Sequence, residues 1–215
     1  MSVFDVLTSG QQAAVNGKKT GVEIGIVTNN KDPDNLGRVR VKFPWFSEDD
    51  ESSWARVATL MGGKDRGTVF LPEVDDEVLV AFEHGDMKRP YVIGALWNGI
   101  DTPPAEFSND GKNNLRLIKS RSGHLIKLDD TDGSEKIEVI DKSGKNSIVI
   151  DTKQNTITIT ADKDILLKAP QGKISLDGKE IEIKSSAAAK VEAGSEMNLK
   201  ASGTMTVKGA TVNIN

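Results

Sequence analysis

The sequence predicts an all-β protein in two parts: a small N-terminal barrel and a C-terminal rod that three chains build together. All aromatic residues lie at or before Phe107, and the 108 residues after it contain none. Those residues nevertheless carry apolar couplets, of the form apolar-x-apolar, about eight residues apart. A fixed period is typical of a repetitive architecture. We therefore expect this half of the chain to be a rod.

The segment 21–98 contains short strand patterns separated by turn residues. Apolar residues alternate with others in Val22–Val27 and Arg38–Phe43, as in half-buried strands. Further patterns occur at Trp54–Ala58, at Thr68–Pro72 leading into Glu77–Phe82, and at Tyr91–Trp97. Five or six short strands with turns between them predict a small barrel.

Composition sets the remaining predicted boundaries. Residues 1–20 are small and polar, and we interpret them as a flexible arm or a short helix, with a disordered terminus as an equal alternative. Residues 99–114 are a predicted linker, because Pro103 and Pro104 cannot donate to a sheet ladder. Residues 115–215 form the rod, whose first strands are separated by Asp-Gly and Ser-Gly turns.

The rod is expected to be a triple-stranded intertwined β-helix formed by three chains. Each octad offers only two or three apolar side chains, and the positions between them are mostly Lys, Glu, Ser and Thr. A single-chain β-helix would need roughly 24 residues per coil, and fewer than three such coils fit between residues 157 and 215. An ordinary β-solenoid or stalk is the alternative. The predicted trimer core is Ile157, Ile159, Ile165, Leu167, Ile174, Leu176, Ile181, Ile183, Met197, Leu199, Met205, Val207, Val212 and Ile214.

Composition also excludes several classes of protein. No run of about 18 apolar residues exists, so no membrane-spanning helix is predicted. The N-terminus lacks a basic region and a cleavage site, so we expect no classical secretory signal. The absence of cysteine excludes disulfides and cysteine-ligated metals. The net charge of −4 argues against a broad phosphate-binding surface.

Four motifs of the barrel segment resemble those of one family. They are Leu36–Trp45, Ser53–Val57, Leu71–Val80, and Gly85-Asp86 with Arg89–Gly94. The family is that of the baseplate spikes, which includes the central spikes of contractile phage tails, phage-tail-like injection systems and the VgrG proteins of type VI secretion. Each motif alone is weak, but four in this order before an octad rod are specific. The resemblance implies that residues 21–98 form an oligonucleotide/oligosaccharide-binding (OB) barrel ahead of a trimeric β-helix.

The resemblance also implies a function and partners. Three copies would form the structural central spike of a contractile injection machine, a membrane-piercing needle and not an enzyme. The chain would be made in the cytoplasm and assembled into the baseplate of a virion or phage-tail-like particle. Only about 20 residues precede the barrel, so a separate hub protein would dock there, and a phage-like particle is favoured over VgrG. A PAAR-like tip protein would cover the open strand edges at Asn213, Ile214 and Asn215, and the target-cell envelope would be a transient partner.

No catalytic, cofactor or metal site is predicted. His84 lies between Glu83 and Asp86 and could act as a base or ligand, but we interpret this segment as a turn. Asp75-Asp76-Glu77 could bind a divalent cation, although a solvated turn is favoured. Asp75 stands where the family often has glycine, so we expect one altered turn. No histidine follows His124, so the family's histidine-coordinated iron tip is not expected.

A binding module is the alternative function. Strand Arg38–Lys42 with Trp45 and Phe46 invites a nucleic-acid interpretation, since OB barrels stack bases on aromatics beside cations. The acidic balance and the rod argue against it, and no nucleic-acid partner is expected. The alternative is therefore an OB-type glycan- or nucleic-acid-binding module on a β-solenoid stalk. An enzyme with a β-helix is disfavoured, because the rod lacks an aromatic and carboxylate groove.

Overall fold

A computed structural model describes residues 19–46, 51–107 and 110–214. The chain divides into two compact units, residues 1–162 and 163–215. The first unit contains a closed five-stranded barrel and a five-stranded sheet, and the described part of the second unit contains no helix or strand. The all-β prediction is confirmed. Most of the predicted N-terminal arm, residues 1–18, lies outside the described residues.

The barrel is built from five of the first seven strands. These seven are β1 (Val22–Asn29), β2 (Arg38–Lys42), β3 (Ala55–Val57), β4 (Gly62–Gly63), β5 (Arg66–Gly67), β6 (Glu77–Phe82) and β7 (Pro90–Ala95). The barrel closes in the order β1-β2-β3-β7-β6, in which only the β3–β7 pair is parallel. A closed five-stranded barrel is the architecture expected of an OB fold. Strands β4 and β5 form a separate small hairpin that the sequence patterns did not predict.

Alternation along the strands supplies the barrel core. Because successive side chains point to opposite faces of a strand, β6 alternates strictly between buried and half-buried residues. The core cluster is Val27, Val39, Val41, Phe43, Ala55, Val78, Val80, Phe82 and Val92. The segment Thr68–Pro72 forms no strand, and Val69 and Phe70 within it are exposed. Proline cannot donate to a ladder, and Val69 and Phe70 lie outside the core cluster.

The loop between β1 and β2 is organised by one carboxylate. The side chain of Asp32 exposes only 3% of its surface. It accepts hydrogen bonds from Nε and Nη2 of Arg38, at 2.8 and 2.6 Å, and from the backbone N–H groups of Asp34, Leu36 and Arg38. The Arg38 guanidinium, opposed by burial and helped by these N–H groups, holds the pKa of Asp32 well below its usual range.

Removing this carboxylate is expected to lower the stability of the barrel and to make that stability depend less on pH. A depressed pKa means that ionised Asp32 stabilises the fold above about pH 4, and that this contribution is lost as the pH falls further. We expect Asp32→Asn to lower the melting temperature at pH 7 and to flatten its fall between pH 5 and 2. Asp34→Asn is the matched control, because Asp34 is exposed and its carboxylate, among the described residues, pairs with Arg38 alone. Tryptophan fluorescence melts across this pH range make the comparison, and equal effects of the two variants would contradict it.

The turn before β6 places Asp75 in a left-handed backbone conformation. Its φ is 77°, in the region that favours glycine. The Asp75 N–H donates to the Val27 carbonyl at 2.8 Å, and the Glu73 N–H donates to Oδ2 of Asp76 at 2.7 Å. The carboxylate of Asp76 therefore closes a turn, which agrees with the favoured interpretation of this acidic segment.

Glycine and a branched side chain at residue 75 should have opposite effects on the free energy of unfolding. Asp75→Gly relieves a left-handed cost of about 1 kcal/mol, partly offset by the entropy of glycine in the unfolded chain. We expect a gain in unfolding free energy of less than about 1 kcal/mol, whereas Asp75→Val should lose at least about 1 kcal/mol. Urea unfolding followed by tryptophan fluorescence measures both. A stabilising valine would show that the turn does not require this conformation.

The remaining strands form an antiparallel meander. They are β8 (Leu115–Lys119), β9 (Leu125–Asp129), β10 (Lys136–Ile140), β11 (Ser147–Asp151) and β12 (Thr156–Thr160), each paired with the next. Gly133 and Gly144 have φ values of 68° and 72° in the turns predicted there. Side chains of Asn146 and Ser143 donate to the Asp141 carboxylate and lower its pKa to about 2. The strand pattern of residues 115–160 was predicted, but its pairing within a single chain was not.

Candidate interaction surface

The meander carries an aliphatic face open to solvent. Residues directly opposite each other on antiparallel strands point to the same face, so the registers define this surface. Its members are Ile118, Ile126, Leu128, Ile137, Val139, Ile148, Ile150, Ile157 and Ile159, which we call the aliphatic face. Each of them exposes between 38% and 70% of its surface. A contiguous apolar surface of this kind marks an interaction site.

The opposite face of the same sheet is mixed, with Leu115, Leu117, Leu125, Ile140 and Val149 among charged and hydroxyl side chains. It carries the ion pairs Lys127–Glu138, at 2.5 Å, and Lys136–Asp151, at 3.3 Å. The cross-strand register places Thr158 opposite Val149 on this face. A sheet with one continuously aliphatic face can pack that face against another surface and leave its charged, ion-paired face in water.

A groove of about 510 Å³ lies in the meander. Aliphatic side chains of all five strands of the meander line it, among them Ile118, Ile126, Val139, Ile148 and Ile159. A concave apolar surface can receive convex aliphatic groups, and such packing is what gives protein interfaces their complementarity.

The second unit repeats one pattern of exposure. In each couplet from Ile165-x-Leu167 to Val212-x-Ile214, the first residue exposes 46–53% of its surface and the second 66–89%. The couplets therefore repeat in structure as well as in sequence. Like the aliphatic face, they leave their apolar side chains uncovered within a single chain.

The predicted core residues divide between the two units. Ile157 and Ile159 join the aliphatic face, and the other twelve lie in the second unit. The remaining seven residues of the aliphatic face were outside the predicted core. Their signal is the apolar-x-apolar alternation before residue 157, combined with a strand register that sequence spacing does not reveal. Of the predicted tip contacts, Asn213 and Ile214 lie in the second unit, and Asn215 lies outside the described residues.

The segment around His84 is a turn. Glu83–Gly85 forms one 3₁₀ turn between β6 and β7, with His84 at a φ of 50°. The Glu83 carboxylate accepts hydrogen bonds from the Tyr91 hydroxyl at 3.3 Å and from Nη1 of Arg89 at 3.5 Å. In the described part of the chain, no three His, Cys, Asp or Glu residues are grouped to hold a metal ion.

Two arginines of strand β2 already pair with carboxylates of the same chain. Arg40 donates to Glu51 at 3.0 Å, and Arg38 is held by the β1–β2 loop. The Trp45 ring lies 5.7 Å from the ring of Phe43 and has Lys19 Nζ 3.6 Å from its centroid. Lys19 thus already covers part of the Trp45 ring, and 41% of the residue remains exposed.

No helix within residues 19–46, 51–107 and 110–214 is long and apolar enough to cross a membrane.

Comparison with known proteins identifies relatives of the barrel and of part of the rod. Residues 23–97 match the model of the type VI secretion system/phage-baseplate injector OB domain. The chain is 28% identical over 156 residues to the type VI secretion system spike protein VgrG1a of Pseudomonas aeruginosa, which covers 68% of this chain and 24% of that protein. It is 33% identical over 141 residues to VgrG4b of the same organism, covering 63% of this chain and 16% of that protein.

A spike protein of a second organism also matches. The chain is 32% identical over 111 residues to VgrG3 of Vibrio cholerae, covering 48% of this chain and 11% of that protein. The chain thus spans a quarter or less of each of these relatives. With its OB-like barrel, the injector-domain match over residues 23–97 and these spike relatives, the chain is similar to the baseplate spike proteins that include the VgrG proteins.

Proposed function

We propose that three copies of the chain assemble into the central spike of a contractile injection machine, with a structural rather than an enzymatic role. The aliphatic face of the meander and the couplets that continue its pattern carry this proposal. Each is exposed in one chain, and each becomes buried if three chains place these surfaces toward a common axis. The relatives are spike proteins of type VI secretion systems, which supports the same role.

Burial of the aliphatic face supplies a large part of the assembly energy. Full burial of an aliphatic side chain contributes roughly 1.5–3 kcal/mol, and these side chains are already about half buried. Nine side chains then contribute on the order of 10 kcal/mol per chain before the entropy of association is subtracted. Three meanders would enclose a prism with the mixed, ion-paired faces outward.

Beyond the meander, we propose that residues 163–215 form the intertwined part of the needle. Strands of one chain would pair with strands of the other two, which supplies partners that a single chain lacks. At about 4.8 Å per stacked strand, the octads would rise on the order of 40 Å. A slim, stiff rod of this length would concentrate the force of sheath contraction at a narrow tip and breach an envelope.

The two ends of the trimer would take different partners. The barrels, residues 21–98, would couple the needle to a separate hub protein and the inner tube, across the linker at 99–114. Asn213, Ile214 and Asn215 would meet a PAAR-like tip protein. The assembly would reside in the baseplate of a virion or phage-tail-like particle, require no cofactor or metal, and bind no nucleic acid.

Labelling of intact particles tests this placement. A peptide tag in the 132–133 turn of the meander would be labelled with gold on contractile particles from the producing cells. We expect one cluster of gold at the baseplate end of each particle. Gold along the whole tube, or tagged protein found only outside particles, would contradict the proposal.

A further inference from the structure

A second surface of the barrel has features that the spike role does not use. A pocket of about 610 Å³ opens where β2, β3 and β7 lie side by side. Trp54 and Tyr91 form part of its wall. Its charged lining residues are Arg38, Arg56, Glu83, Lys88 and Arg89. Four cations therefore face one carboxylate.

The cations differ in how far they are neutralised. Arg38 is paired with Asp32 and Asp34, at 2.6 and 2.5 Å. Arg89 is held loosely, 3.5 Å from Glu83 and 3.8 Å from Asp86, beyond the roughly 2.7–2.9 Å of a strong charge-assisted hydrogen bond.

Arg56 and Lys88 are the open cations of the pocket. Among the ion pairs formed by the described residues, neither has a carboxylate within 4.0 Å. Both side chains belong to exposed residues, so a ligand can reach them. The pocket therefore retains two positive charges that the described residues do not balance.

The aromatic wall orients one of these cations. The Arg56 guanidinium lies 5.6 Å from the centroid of the Tyr91 ring, and the Tyr91 hydroxyl is fixed by Glu83. A guanidinium supported by an aromatic ring loses less freedom when it binds, and its planar fork matches a carboxylate. The arrangement is thus suited to a carboxylate that pairs with Arg56 and lies near Lys88.

We propose that this pocket binds an acidic peptide segment of a partner protein, whose carboxylates pair with Arg56 and Lys88. Single-stranded nucleic acid fits less well, because base stacking needs free ring faces. Here the guanidinium of Arg40 lies 5.0 Å from the centroid of the Trp54 ring, and the guanidinium of Arg56 lies over the Tyr91 ring. This inference concerns the barrel alone and does not depend on how many chains assemble.

Calorimetric titration of the full chain with acetylated hexaglutamate tests the pocket. At about 50 mM salt, where surface charges are weakly screened, we expect saturable binding with a Kd near or below about 1 mM. Arg56→Gln should weaken binding about tenfold, since it removes a charge-assisted contact. Arg66→Gln is the matched control, because Arg66 is exposed in β5, outside the pocket lining, and loses the same charge. We expect it to change the Kd less than about twofold.

A variant that should strengthen peptide binding provides a second test. Glu83→Gln removes the carboxylate that competes for Arg89 and repels the peptide, so binding should strengthen about threefold. Absence of saturable binding, or equal losses in Arg56→Gln and Arg66→Gln, would overturn the proposal. Tighter, Arg56-dependent binding of hexathymidylate would overturn it in favour of nucleic acid.

Discussion

Ile159→Asp is expected to abolish trimer formation, whereas Thr158→Asp on the same strand should leave the trimer intact. Ile159 lies on the aliphatic face of the meander and Thr158 on the opposite face. Both residues are exposed in the single chain, so neither substitution disturbs a core within that chain. In the proposed trimer, Ile159→Asp would bring three uncompensated carboxylates together in an apolar interior, at a cost of several kcal/mol for each.

Size-exclusion chromatography with light scattering distinguishes the two variants. Tryptophan fluorescence reports whether the barrel stays folded, because all three tryptophans lie between residues 45 and 97. The expected result is a trimer for Thr158→Asp, and a smaller species with a folded barrel for Ile159→Asp. If both variants remained trimeric, the aliphatic face would not be the interface.

A second pair of substitutions tests the needle in the second unit. Ile165 belongs to the predicted trimer core, and Leu166 beside it is a large aliphatic residue outside that core. Leu166 is the more exposed of the two in the single chain, at 74% against 52%. We expect Ile165→Asp to disrupt the needle, because its side chain would face the shared axis. Leu166→Asp should be tolerated, because its side chain would face solvent. Leu199→Asp should behave like Ile165→Asp.

The measurement is resistance of the assembled species to denaturant and protease. Interlocked strands unfold slowly, so the wild-type chain and Leu166→Asp should survive conditions that convert Ile165→Asp to monomers or fragments. If Leu166→Asp lost this resistance and Ile165→Asp kept it, Leu166 rather than Ile165 would face the shared axis. Equal resistance of all variants would contradict an intertwined needle over residues 163–215.

The barrel was predictable because its strands follow local alternation of apolar and polar residues. Alternation placed Val39, Val41 and Phe43 on one face of the Arg38–Phe43 segment, and the structure buries all three. The β4–β5 hairpin was missed because its two-residue strands consist of Gly62–Gly63 and Arg66–Gly67, which have no apolar alternation. In the Thr68–Pro72 segment, apolar composition suggested a strand, but the segment belongs to none of the sheets found in the described residues.

The rod shows where sequence reasoning stops. The couplet positions of residues 115–160 predicted strands, and strands are present there. Spacing alone does not specify whether a neighbouring strand belongs to the same chain or another. Tight turns with positive φ at Gly133, Gly144 and Asn155 determine that these strands fold back on their own chain. The pocket lined by Arg56 and Tyr91 could not be predicted from the sequence either, because the parallel pairing of β3 with β7 brings these two residues together.

The most direct test of the spike account is the solution mass of the purified chain by light scattering, before and after moderate denaturant. The account predicts one species of three times 23.2 kDa that persists in denaturant concentrations sufficient to unfold an ordinary domain. A monomer of 23.2 kDa with a folded barrel would contradict it, because the aliphatic face and the couplets would then remain exposed in solution.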